Sequence, residues 1–101
     1  MADVKDLQKK VAEAAEELGH THDPKVVILF FLEELGEVAR AFLKEEGFKK
    51  TNPRVTETAA QEMGDLFLMI LRLANVMGVD LEEALDRTLK KLRTSHEIEP
   101  I

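Results

Sequence analysis

Val26-Val27-Ile28-Leu29-Phe30-Phe31-Leu32-Glu33-Glu34-Leu35-Gly36-Glu37 sets seven consecutive apolar residues directly before a glutamate cluster. No stretch of the chain alternates apolar and polar residues long enough to suggest a sheet, and the periodicity is helical nearly everywhere. A helix over Val26 to Leu32 is apolar in every direction and has to be surrounded. Leu66 to Leu71 is a second such run. Two amphipathic neighbours in a small chain cannot surround both, so the pattern predicts self-association with these helices inside.

Working outward, Val4, Leu7, Val11, Ala14, Ala15 and Leu18 form one stripe, which predicts an amphipathic helix over Asp3 to Leu18 stopped at Gly19. His20-Thr21-His22 reads as a loop. Asp23-Pro24 reads as an N-cap followed by proline in the first turn. The second helix is expected from Pro24 to about Glu46, with Gly47 as its stop. Phe48 to Pro53 reads as a polar, basic connection. A third helix is expected from Pro53 or Arg54 to Met77, stopped by Gly78. Asp80 caps a fourth, striped by Leu81, Ala84, Leu85, Leu89 and Leu92, and Glu97 to Ile101 reads as a loose tail. The expected fold is all-α: a four-helix bundle-like protomer assembling into a dimer or tetramer, with residues 1–101 as a single domain.

Bulk properties narrow the function. The 101 residues are 45% hydrophobic and only 5% aromatic, so the core is mostly aliphatic. A net charge of −6 opposes binding to a nucleic-acid polymer. Without cysteine there is neither a disulfide nor a thiolate metal site. The charged start is no signal peptide, and the longest uncharged run is too short to span a bilayer; a cytoplasmic protein is expected.

The chemistry is expected in two acidic clusters, Glu33-Glu34-Leu35-Gly36-Glu37 and Glu62-Met63-Gly64-Asp65. Residues three and four apart share a helix face, so Glu33 or Glu34 projects with Glu37, and Glu62 projects with Asp65. Side-by-side packing would bring four or five carboxylates together. Either cluster alone reads as a solvated face. Both, however, sit in the most apolar segments, and no basic residue lies between Lys25 and Arg40 or between Arg54 and Arg72. Converging carboxylates need a cation, and a hard divalent ion with oxygen ligands suits them: magnesium, with manganese as a substitute. Gly36 and Gly64 each cost a helix about 1 kcal/mol relative to alanine, which a close approach of helix or ligand would explain.

Glu-Glu-x-x-Glu followed on the next helix by Glu-x-x-Asp resembles the signature of MazG-like nucleotide pyrophosphohydrolases. The two motifs stand 24 residues apart, and Gly78-Val79-Asp80-Leu81-Glu82-Glu83-Ala84 resembles the family's turn into its last helix. The resemblance is strongest over residues 24–93. It implies an all-α fold that dimerises or tetramerises, and magnesium-dependent cleavage of the α–β bond of a nucleoside triphosphate, giving a monophosphate and pyrophosphate. It implies Glu34, Glu37, Glu62 and Asp65 as metal ligands, with Glu33 holding a second ion or orienting the attacking water; Glu34 is the other residue placed for that orienting role. Leu89 departs from the family's asparagine in Asn-x-Lys-Phe, whereas Lys91 matches its lysine, and Arg72 stands where several members have asparagine.

Lys91 and Arg93 are candidates for neutralising the triphosphate, or are a solvated helix end. Arg72, seven residues after Asp65, is a candidate for touching a phosphate or holding Asp65, and an acidic partner is expected for it. His20 and His22 read as surface residues, and Lys49, Lys50 and Arg54 as a solvated basic loop. Two alternatives stand beside the triphosphate reading. One is phosphoribosyl-ATP pyrophosphohydrolase, disfavoured because Leu66, Phe67 and Leu68 stand where that family has a histidine. The other is a non-catalytic helical oligomerisation module.

Overall fold

The computed structural model describes residues 3–48 and 53–98. Four helices follow in order: α1 (Val4–Glu17), α2 (Pro24–Glu45), α3 (Ala59–Met77) and α4 (Leu81–Ile98). The fold is all-α, and among the described residues there is no strand. No helix among them is long and apolar enough to cross a membrane.

Local sequence explains the helix limits. Asp3 caps α1 by accepting from the Asp6 amide at 2.8 Å, and Asp23 caps α2 by accepting from Lys25 at 3.0 Å. The α3–α4 turn needs Gly78, whose φ of +71° favours glycine. Asp80 then opens α4, accepting from Glu83 at 3.2 Å.

The start of α3 corrects the sequence reading. It lies at Ala59, not at Pro53 or Arg54. Thr58 and Gln61 form a reciprocal capping box, with Gln61 N to Thr58 Oγ1 at 3.1 Å and Thr58 N to Gln61 Oε1 at 2.8 Å. Glu45, at the end of α2, accepts from the Ala59 amide at 2.8 Å and ties the two helix ends together. The fourth helix runs through Glu97 to Ile98, two residues into the expected loose tail. Residues 99–101, and the Lys49 and Lys50 of the basic loop, lie outside the described residues.

Helices α2 and α3 form the main packed pair, and α1 covers the other side of α3. Val27, Ala41, Met69, Leu71 and Ala74 are buried there, with Ala15 from α1. Gln8 is the centre of the α1–α3–α4 junction, and its own carbonyl accepts from Asn75 Nδ2 at 2.9 Å. Gln8 donates to Asn75 Oδ1 (3.2 Å) and to the Val79 carbonyl (2.9 Å), and accepts from the Leu81 amide (2.9 Å). Lys5 adds ion pairs to Asp80 and Glu82 at 3.6 and 3.9 Å. Beyond this first turn α4 projects: Leu85, Leu89 and Leu92 of its stripe are exposed. The four helices form the expected bundle-like protomer, with most of α4 standing clear of the packed α1–α2–α3 core.

Candidate metal centre

The antiparallel α2–α3 pair places the two acidic motifs opposite each other. One carboxylate oxygen from each of Glu34, Glu62 and Asp65 lies within 4.8 Å of the other two. Glu62 is buried, on the face of α3 that meets α2. Glu34 Oε2 and Glu62 Oε2 are enclosed and have no hydrogen-bond partner. Glu37 stands beside both, within hydrogen-bonding reach. Glu33, on the same helix, is exposed and outside the converging set.

The electrostatics are those of crowded carboxylates. Burial pushes the Glu34 carboxyl from its usual 4.5 up to about 7, helped by the Glu37 hydrogen bond and by the charges of Glu37, Asp65 and Glu62. Burial raises Glu62 too, with Glu37, Glu57 and Asp65 adding to it. Every cause acting on the two groups raises them. The sequence does not single out Glu57, because a helix starting at Pro53 or Arg54 would hold it. With the helix beginning at Ala59 and capped by Thr58, Glu57 belongs to the loop, which brings it alongside Glu62.

The donor set fits a hard divalent ion. It offers only oxygens, carries surplus negative charge, and leaves two buried oxygens that nothing among the described residues satisfies. Bare carboxylates at this spacing are costly, and a cation is the direct remedy.

The other expected site residues do not join this set. Arg72 does not hold Asp65 and has no acidic partner among the described residues. It donates to the Thr21 carbonyl at 3.2 Å and to Met69 Sδ at 3.8 Å. Lys91 and Arg93 lie exposed on the projecting part of α4. Gly36 and Gly64 are not explained by tight packing within the chain. A Cβ on Gly36 would meet Arg40 Nη1 at an ordinary 3.7 Å, and one on Gly64 would meet nothing within 4 Å. His22 is exposed as expected, facing Glu16 Oε2 at 3.2 Å.

A helix pair that gathers carboxylates around one point, with no ion pair to them among the described residues, defines an all-α protein with an acidic centre whose donors suit a metal ion. Comparison with known proteins gives that class a family. Residues 22–98 match the MazG nucleotide pyrophosphohydrolase domain. YpjD of Bacillus subtilis (strain 168) is 31% identical over 93 residues, which span 90% of this chain and 84% of that protein. The crystal structure of Bacillus subtilis YpjD, described as a candidate pyrophosphatase, superposes with a TM-score of 0.77 at 27% identity, over 93% of this chain and 96% of that one. The chain belongs to the MazG nucleotide pyrophosphohydrolase family, and by family it is a nucleotide pyrophosphohydrolase.

Proposed function

We propose that the chain hydrolyses a nucleoside triphosphate at the α–β bond, releasing a nucleoside monophosphate and pyrophosphate. The observation that carries this reading is the convergence of Glu34, Glu62 and Asp65 within 4.8 Å, two of them with orphaned buried oxygens. Glu34, Glu37, Glu62 and Asp65 would hold magnesium. The ion, when bound, supplies charge neutralisation for the phosphates and polarises the scissile phosphoryl group. Glu33 and Glu34 are the candidates for orienting the attacking water. Glu33 is favoured, because it is adjacent to the converging trio but not part of it. Water adds to phosphorus, the P–O bond to pyrophosphate breaks, and the water's proton passes to a carboxylate or to solvent. Catalysis of this kind is mostly positioning and charge stabilisation.

Neutralising the leaving pyrophosphate also needs cations. Lys91 and Arg93 would reach it from the α4 of a second copy, because that helix projects from its own chain. The functional unit proposed is therefore a homodimer or homotetramer, acting on the nucleotide pool in the cytoplasm.

The test is pyrophosphate release from a panel of ribo- and deoxyribonucleoside triphosphates, with and without magnesium. Glu62→Gln keeps the shape of the site and removes a ligand charge, and should lower turnover by more than about 100-fold. Release that ignores magnesium, or that survives this substitution, would overturn the reading. No release from any triphosphate by the folded protein would redirect the search to phosphoribosyl-ATP.

A further inference from the structure

Arg72 is the unexplained charge of this fold. It is nine-tenths buried in the middle of α3, and no acidic side chain lies at ion-pairing distance from it among the described residues. A guanidinium carries five N–H donors and a fixed charge. Its partners are both neutral: the Thr21 carbonyl at 3.2 Å and, weakly, Met69 Sδ at 3.8 Å. A buried cation left this way is costly unless an anion joins it.

Arg72 lines a cleft of about 360 Å³ between α1, the α1–α2 loop and α3, and its guanidinium reaches Thr21 on the same lining. Ala12, Ala15 and Val76 give that cleft apolar walls. Glu16, at its rim, could have neutralised Arg72, but its Oε2 faces His22 Nε2 at 3.2 Å instead. The Thr21 hydroxyl accepts from the Asp23 amide at 3.1 Å, which leaves its own proton free to donate. We propose that this cleft binds a small oxyanion with an apolar body. Arg72 and the Thr21 hydroxyl take the head, and Ala12, Ala15 and Val76 take the body. The site is separate from the carboxylate centre. Seven residues of helix place Arg72 about 10 Å along α3 from Asp65, and Arg72 makes its contacts with the α1–α2 loop.

The head group is a carboxylate or a phosphate, and calorimetric titration of the full chain separates them. Inorganic phosphate and butyrate, as sodium salts in chloride buffer, are titrated into protein stripped of divalent ions, and again with magnesium present. One of the two should bind saturably at one site per chain, with and without magnesium alike. Arg72→Met keeps the apolar contacts and should weaken that binding at least tenfold. Ala12→Leu fills the cleft from an exposed helical position, leaves Arg72 in place, and should abolish binding even if the arginine variant fails to fold. Saturation by phosphate alone identifies a phosphoryl ligand, and by butyrate alone a carboxylate ligand. Absence of saturable binding by either, or binding that Ala12→Leu leaves unchanged, would overturn the proposal.

Discussion

Glu34 and Glu62 each keep one oxygen enclosed and unsatisfied, and each holds its proton more tightly than a free glutamate. The sign of the consequence follows from linkage. Glu34 is raised on folding from 4.5 to about 7, so across that window the native state binds more protons than the unfolded chain. Stability without metal should therefore fall as the pH rises through the window. A divalent ion competes with those protons, so its stabilising effect should grow over the same range. Thermal melts from pH 4.5 to 7.5, stripped of divalent ions and then with magnesium, check both slopes. A metal-free midpoint that climbs with pH would contradict this account of the site. Glu34→Gln should flatten the metal-free decline and reduce the magnesium effect.

Among the elements, α4 depends most on a single contact. Gln8 satisfies the Val79 carbonyl and the Leu81 amide, groups that flank the start of α4 and lack helical partners there. Truncating it to alanine leaves the part-buried Leu81 amide without its partner, whereas the exposed Val79 carbonyl can turn to water, so the cost should be about 1 kcal/mol. Gln8→Ala should lower the thermal midpoint and increase amide exchange selectively at the α3–α4 turn, with α2 protected as before. Uniform exchange across all four helices would show that the junction is not an independent clamp. The extent of α3 illustrates how an element can be misread locally. Pro53 is a reasonable helix opener by itself, but the Thr58–Gln61 capping box and the Glu45 contact give Ala59 a better-satisfied N-terminus.

For the whole molecule, surface area is the informative quantity. The chain exposes 7854 Å², where a compact monomer of its 11.4 kDa would expose about 5,800 Å². Its radius of gyration is 16.6 Å, against about 13 Å for a globular chain of this length. Large apolar side chains contribute to that surface: Leu29, Leu32, Phe67 and Leu68 on the α2–α3 pair, and Leu85, Leu89 and Leu92 on α4, are all exposed. Exposed apolar area of this kind is what the proposed homo-oligomer would cover. Sedimentation at micromolar concentration should give a species larger than one chain. Leu29→Glu, at a side chain 63% exposed in the protomer, should shift it toward smaller species. It should also lower turnover, because the α4 cations proposed to reach the phosphates come from a second copy. A wild-type protein that sediments as a monomer while remaining fully active would refute that arrangement.

The helical class, the helix stops at Gly19, Gly47 and Gly78, the N-caps at Asp23 and Asp80, and the pairing of two acidic motifs were all legible in the chain. Each is written in residues three or four positions apart, or in a single conformational preference, so local physics decides it. The convergence of Glu34, Glu62 and Asp65 was half legible. Helical spacing put each pair of acids on one face, but only the antiparallel seating of α2 on α3 brings the faces within coordinating distance. The start of α3 was legible in the Thr58–Gln61 capping box but was outweighed by Pro53, whereas two features belonged to tertiary structure alone: the approach of Glu57 to Glu62 and the seating of Arg72 against Thr21. The last joins residues 51 positions apart. Which neutral carbonyl a buried cation finds depends on how helices cross in space, and no spacing along the chain records that.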